Sequence, residues 1–425
     1  MLVSNSVIIA VALVSSVVIV YYLYKKRLVN NSPIAPLPPP EPEPEPPPPP
    51  QPSPEPIPEP QPQPPSSSSS SMSVYHVYDN QVLQRDLDAI ANAKQYVKIS
   101  TYLLELANDP AKSAAYKLGQ ALQQAKRNGA IIQIVFSNDA LTSKPRPWHA
   151  YTVDYLKNVL GLEDLTNASS SVRSAPSVSG YVIASIHSKN IVTESYVRAG
   201  STNLNMNGYT YNLEDTIQIE NPRADQSGAG ARIHDAALAY ANTYFVEKRP
   251  IKINSNNSNN NSNINFITGD SDIGKYWTSV IDRLKSSTCK KAYFSTYAYN
   301  ANNTMIQQVV QAMIDAKRRG VDVKLVADIN AKTLVDHLNN AIGIVVAKVI
   351  KSPYGNINHS KLIYIEDERL GRYALIGSQN FDSATAANSG ISISSSSSSS
   401  SSADDLKLNL ILDSIKARFD MLWSL

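Results

Sequence analysis

The chain has 425 residues, 18% of them charged, a formal net charge of +3 and a single cysteine. That length accommodates two or three domains, the charge is too small to indicate a nucleic-acid partner by itself, and Cys289 alone cannot close an internal disulfide, which agrees with a reducing compartment. Any attraction for a polyanion has to come from local clustering of charge.

From the N-terminus, residues 7–24 read VIIAVALVSSVVIVYYLY, an uncharged apolar run long enough to cross a bilayer core as a helix. No positive charge precedes it and no small-residue cleavage site follows, so it predicts a retained single-pass anchor over residues 1–28 rather than a removed signal. Lys25, Lys26 and Arg27 follow directly, which favours a cytosolic or virion-interior position for the rest of the chain. Residues 29–73 are rich in Pro, Glu and Ser, with PEPEPEPPPPPQP at the centre. Such a stretch buries almost nothing and favours extended polyproline II, so it predicts a disordered spacer with a reach on the order of 100 Å.

The globular pattern begins at residue 74. A helix is predicted over Asp86–Ala93, a strand over Tyr96–Tyr102, a helix over Leu118–Arg127 and a strand over Ile131–Phe136. The same order returns as helix Trp277–Leu284, strand Ala292–Tyr297, helix Ile306–Arg319 and strand Val321–Ala327. AKRNGAIIQIVFSND (125–139) aligns without a gap on AKRRGVDVKLVADIN (316–330), with Gly129 and Gly320 where a left-handed helix cap is expected. Alternating strands and helices argue for an α/β layered fold with one sheet per half. The halves span 74–253 and 266–425, joined by an Asn/Ser linker at 254–265. A Ser-rich insertion at 394–402 precedes a final amphipathic helix, Asp404–Leu422.

One signature occurs twice, 172 residues apart: His187-Ser188-Lys189 with Glu194 and then Gly200-Ser201-Thr202-Asn203, and His359-Ser360-Lys361 with Glu366 and then Gly377-Ser378-Gln379-Asn380. Each HSK opens a strand-like run, and side chains two apart on a strand share a face, so each His and Lys are predicted to point at one phosphate. An imidazole can attack phosphorus and form a phosphohistidine. A second, protonated imidazole can donate to the leaving oxygen and later accept a proton from water. Lys189 and Lys361 would meet the charge on the non-bridging oxygens, with Ser201, Asn203, Ser378 and Asn380 adding donors. This division of labour calls for no metal or other cofactor. His76, His149, His234 and His337 lack companions at metal-ligand spacing, and one cysteine makes no zinc framework.

At these residues the chain resembles the phospholipase D superfamily, whose hallmark is a duplicated HxKxxxxD followed by GSxN. The likeness covers most of residues 74–425 and implies two α/β sandwich halves related by a pseudo-two-fold. Glu194 and Glu366 stand where the family usually has Asp, and the resemblance places them with His187, Lys189, His359 and Lys361 among the catalytic residues, in a supporting role. The finer resemblance is to the branch with poxvirus envelope and nicking-joining proteins and the membrane-anchored endolysosomal 5′-exonucleases of animals, through Asn358-His359 and the small-residue stretch FDSATAANSGISI. By that analogy His187 is the nucleophile and His359 the acid/base, although the symmetry of the motifs leaves the exchange open. Glu214 occupies the place where many relatives carry an acid that orients an active-site histidine, with Ser389 and Gly390 near the matching place in the second half. Tyr102, Trp148, Tyr297 and Tyr299 lie near strand ends that could line a cleft.

Three functions compete. The first is a membrane-anchored phosphodiesterase acting on phospholipid, slightly favoured because the spacer lets the body fold back onto its own bilayer. The second is a nuclease acting on single-stranded nucleic acid by the same chemistry. The third is a non-catalytic viral envelope or membrane protein, which the intact His and Lys of both halves count against. Both motifs lie in one chain, so no obligate protein partner is expected for catalysis.

Overall fold

Each of the two strand-helix runs read from the sequence folds into its own sheet, and the sheets share one topology. The computed structural model describes residues 71–137, 147–175, 177–224, 228–247, 263–382, 388–395 and 403–425. In the first half these form strands β1 (Ser73–Tyr78), β2 (Tyr96–Thr101), β3 (Ile131–Ser137), β4 (Glu163–Asp164), β5 (Gly180–Ala184), β6 (Lys189–Thr193), β7 (Tyr196–Gly200) and β8 (Asp215–Glu220). The second half has β9 (Ile264–Thr268), β10 (Cys289–Thr296), β11 (Asp322–Ala327), β12 (Ala347–Val349), β13 (Leu362–Asp367), β14 (Gly371–Gly377) and β15 (Ser389–Ser394). The sheet orders are β1-β8-β7-β6-β2-β3-β5-β4 and β12-β11-β10-β13-β14-β15-β9. Read from β9 back to β12, the second order matches the first strand for strand, apart from the extra edge strand β4.

The predicted elements are present, most of them longer at the N-terminal end. Helices run Val82–Ala91, Ser113–Arg127, Gly269–Lys285 and Thr304–Arg318. Capping explains one early start: Asn303 accepts a hydrogen bond from the Ile306 amide, so the helix predicted from Ile306 opens at Thr304. Gly129 and Gly320 follow the ends of their helices at φ +88° and +95°, conformations that disfavour any side chain. Two boundaries shift. β1 begins at Ser73, the last residue assigned to the spacer, and β9 begins at Ile264, inside the predicted linker. The predicted anchor (1–28), most of the spacer, linker residues 254–262 and insertion residues 396–402 lie outside the described residues. Among the described residues no helix is long and apolar enough to cross a membrane.

The strands are apolar on both faces because both faces are covered. Ile191 of β6 packs into the outer core of the first half with Leu118, Leu122 and Ile134, while its neighbour Val192 faces a central core. There Val192, Val197 and Ile217 join Leu362, Tyr364, Ile376 and Ile391 of the second sheet. The last helix, Ala403–Ser424, adds Leu412, Ile415 and Phe419 to this central layer. It also carries a buried cation across to the first half: Arg418 donates to Asp79 at 2.6 and 3.0 Å and lies 3.4 Å from Asp215. His76 pairs with Asp215 at 2.9 Å and with Ser414 at 3.1 Å, so the halves are tied by charge as well as by apolar contact.

Candidate active site

The site grows from the ends of β7 and β14. A Cβ on Gly200 would lie 2.5 Å from the Asp215 carbonyl oxygen, and one on Gly377 would lie 2.7 Å from that of Ser389, so only glycine admits the adjacent strand. This close approach locks the serine that follows. Ser201 N donates to Asp215 O at 2.9 Å, and its Oγ accepts from Asp215 N at 2.9 Å and donates to Glu214 Oε2 at 2.5 Å. Ser378 repeats the pattern: N to Ser389 O at 2.9 Å, Oγ from Ser389 N at 3.0 Å, and Oγ to Asn388 Oδ1 at 2.8 Å. Both hydroxyls were expected to bind phosphate; the structure instead engages them in holding Glu214 and Asn388, because the tight strand contact leaves each one facing its neighbour's backbone.

Glu214 and Asn388 in turn reach across to the other half. Leu213 N donates to Ile357 O at 3.0 Å and His359 N to Leu213 O at 2.9 Å, which sets Glu214 beside His359. His359 Nδ1 lies 2.9 and 3.0 Å from the Glu214 carboxylate oxygens, and Asn212 donates to the same group at 3.0 Å. In the reverse direction His187 Nδ1 lies 2.8 Å from Asn388 Oδ1, and Ser389 Oγ donates to Asn190 Oδ1 at 2.8 Å. Each half therefore supports the other half's histidine, the reciprocity a two-fold relation demands. The counterpart of Glu214 is thus Asn388, not Ser389 or Gly390. Because Asn388 Oδ1 already accepts from Ser378, His187 Nδ1 carries a proton toward it, and Nε2 is the reactive nitrogen.

The lysines are placed as symmetrically. Lys189 Nζ donates to His187 O and Lys361 Nζ to His359 O, each at 2.6 Å. Their ammonium groups lie 5.3 Å from the rings of Tyr102 and Tyr297, and each tyrosine also packs 5.0 Å from its histidine. Two of the expected cleft aromatics are therefore walls of the site. Lys189, Lys361 and His359 are buried at 0, 3 and 5% exposure, whereas His187 is partly exposed.

Electrostatics follow from four nitrogen groups sharing a dry volume with few acids. Burial, then Lys189 and Lys361, hold His187 well below the usual imidazole range. Burial, then Lys361 and Lys189, do the same to His359. Burial and the Lys361 charge push Lys189 well down, whereas Lys361, also lowered by burial but facing Glu214, Asp382 and Asp328, falls only to about 8. Burial pushes Glu214 up to about 8 against the pull of Lys361, Ser201 and Asn212. Such a pocket favours an anion, whose charge would restore the protonated forms.

Two predicted members lie elsewhere. Glu194 follows the last residue of β6, about 17 Å along the strand from Lys189, and its carboxylate accepts from the backbone amides of Lys94, Gln95 and Tyr96 at 2.6, 3.3 and 3.5 Å. Glu366 sits near the far end of β13 and pairs with Lys291 at 2.9 Å across the strand pair. Their assignment as catalytic is corrected: the strand that aims His and Lys carries the acid to its opposite end. Asn203 Oδ1 accepts from Leu103 N at 3.3 Å, and Asn380 Nδ2 donates to Asp382 at 3.4 Å. Asn388 and Asp382 were missed in the sequence. Counting from the glycine of GSxN would have found Asn388 only within three residues. Of the other histidines, His76 and His234 are engaged, the latter with Tyr96 at 3.0 Å, His149 packs edge-to-face against Trp148 and His337 is exposed. Among the described residues no group of three or more His, Cys, Asp or Glu is arranged to hold a metal ion.

A family model described as "Cardiolipin synthase, PLD-like domain" matches residues 87–229 and 280–402. No curated protein matches the chain. Among solved structures, phosphatidylserine synthase of Haemophilus influenzae is similar at a TM-score of 0.56 and 11% identity, over 81% of this chain and 85% of that one. Polyphosphate kinase of Porphyromonas gingivalis gives 0.46 at 11% identity over 81% of this chain, which spans only 50% of the kinase. Nuc of Salmonella typhimurium, a phospholipase D family member, gives 0.26 at 21% identity over 36% of this chain and 84% of its own length.

Proposed function

Given that this chain belongs to the phospholipase-D-like family, a superfamily of phosphodiesterases, we propose that it hydrolyses a phospholipid phosphodiester through a covalent phosphohistidine. The observation that carries the chemistry is the reciprocal crossing of Glu214 to His359 and of Asn388 to His187, which fixes both imidazoles beside both lysines. One imidazole attacks phosphorus as the other protonates the leaving oxygen, and the second then deprotonates the water that breaks the P–N bond. Lys189 and Lys361 are fixed donors for the non-bridging oxygens, effective because they are shielded from water. Asn203 and Asn380 flank the same strand ends as further phosphate donors. A bound phosphodiester anion offsets the burial that lowers all four groups and the cationic neighbours that lower His187, His359 and Lys189 further.

The lipid assignment rests on the apolar run 7–24, read as a single-pass anchor, and on the spacer that lets the body reach the same bilayer. Lys25, Lys26 and Arg27 favour a cytosolic or virion-interior body. With both motifs in one chain, catalysis needs no protein partner. The nuclease reading is favoured by Asn358 before His359 and the small-residue stretch after GSQN. The full chain, and its His187→Ala variant, should be offered fluorescent phosphatidylcholine vesicles and labelled single-stranded DNA without divalent metal. Turnover of vesicles, lost in the variant, is the expected result. Turnover of DNA alone replaces the lipid assignment, and turnover of neither by the folded protein overturns the enzyme reading.

A further inference from the structure

We propose that the unequal partners of the two histidines divide their roles: His359, backed by Glu214, is the nucleophile, and His187, backed by Asn388, is the general acid and base. This rests on the phosphodiesterase reading and reverses the assignment that resemblance to the family implies. It also makes Asn388 a positioning residue for His187.

The two imidazoles have different charges to bear. When Nε2 of the nucleophile bonds to phosphorus, the ring keeps its Nδ1 proton and becomes a phosphoimidazolium that cannot shed its charge through Nε2 until the P–N bond breaks. Among the described residues His359 alone of the two has a carboxyl partner for that charge, with both Glu214 oxygens within 3.0 Å of Nδ1; burial favours the neutral acid at Glu214, and the phosphoimidazolium forming beside it draws the group to its carboxylate. The acid/base has the opposite need. It begins cationic and must release its proton to the leaving oxygen, so a neutral amide that orients the ring without stabilising the cation serves it better. Asn388 Oδ1, 2.8 Å from His187 Nδ1 and fixed by Ser378, is such a partner.

His359 is buried, which keeps a covalent intermediate on it away from stray water, and His187 is the more exposed residue of the two. The steps balance. The His359 Nε2 lone pair forms the P–N bond, the P–O bond to the leaving group breaks, and the leaving oxygen takes the Nε2 proton of His187. Water then gives a proton to His187 Nε2 while its oxygen bonds to phosphorus, the P–N bond breaks, and the lone pair returns to His359. The net change is one phosphodiester and one water becoming an alcohol and a phosphomonoester.

The test uses the full chain and two probes, bis(p-nitrophenyl) phosphate, whose leaving group departs without a proton, and diphenyl phosphate, whose leaving group needs one. Alkaline quenching of the unmutated chain during turnover, followed by peptide mapping, should find the phosphoryl adduct on His359. This measurement needs no variant to fold. His187→Ala should keep the first-turnover release of nitrophenolate and accumulate the adduct, while His359→Ala should show neither. Asn388→Ala should lose about 100-fold on diphenyl phosphate and only a few-fold in nitrophenolate release from bis(p-nitrophenyl) phosphate, whereas Glu214→Gln should slow both alike. A merely structural role for Asn388 would lower both probes equally, and that result overturns its part of the proposal. An adduct on His187, or a burst kept by His359→Ala and lost by His187→Ala, overturns the role assignment while leaving the phosphodiesterase reading intact. No turnover of either probe by the unmutated chain overturns both.

Discussion

The halves of this molecule share a strand order, a GSxN turn, a lysine bonded to its own histidine carbonyl and a tyrosine beside each histidine, yet they differ at one decisive position: Glu214 in the first, Asn388 in the second. The symmetry builds a paired array of donors. The asymmetry gives that array a direction, because two identical imidazoles could each attack or protonate, whereas a carboxyl on one and an amide on the other separate the tasks. The lysines differ as well: burial alone lowers Lys361, to about 8, while Lys189 is opposed in addition by the Lys361 and Arg198 charges and is held well below its usual range.

The comparison breaks most sharply at the histidines. His187→Ala and His359→Ala should each reduce steady-state kcat by about 10³-fold or more, and the double variant should be little worse than either, because the two act as one unit. Additive losses would mean that the halves work independently. Next comes the tie between them: Arg418→Ala should destabilise the fold by about 3–5 kcal/mol in denaturant titrations, since it leaves buried Asp79 and Asp215 without their cation.

The lysines offer a pH test. An ammonium whose folded-state value is about 8 is present below that pH and lost above it, so kcat/KM for an anionic diester should fall as pH rises through about 8. Lys361→Arg should move that fall to higher pH, because a guanidinium stays charged. Depression of a lysine also means that protonation favours the unfolded chain, so the folded state loses stability as pH falls from the ordinary lysine value through the lowered one. Lys189→Met should therefore raise Tm at pH 7, and raise it more than Lys361→Met, which strips Glu214 of a cation. The smallest effects belong to the acids at the far strand ends. Glu194→Gln should cost about 1 kcal/mol by weakening the bonds to the 94–96 amides. Glu366→Gln, which breaks a half-exposed pair with Lys291, should cost about 0.5 kcal/mol or less. Thermal melts check both, with kcat unchanged in each.

Much of this was legible along the chain because it is local. Strand and helix periods, the left-handed glycines after two helices and the duplicated His-x-Lys spacing depend on residues a few positions apart, and local backbone geometry fixes what they do. The gap-free match of 125–139 to 316–330 already implied a repeated fold. Even the error over Glu194 and Glu366 was geometric: a five-residue step along an extended strand carries a side chain out of reach of the phosphate, which spacing in a motif does not reveal.

What the tertiary structure decided was everything that crosses between halves. Glu214 follows Gly200 by fourteen residues and Asn388 follows Gly377 by eleven, so an equal count from Gly377 overshoots Asn388 by three residues and lands on Ile391. Nor does sequence order disclose that Glu214 serves His359 rather than His187, 27 residues before it. The amino-acid sequence determined two imidazoles, two ammonium groups and the strands that aim them. Their partners were set by packing, since the hydrogen bonds that distinguish nucleophile from acid join residues 145 and 201 positions apart and exist only once the two sheets meet.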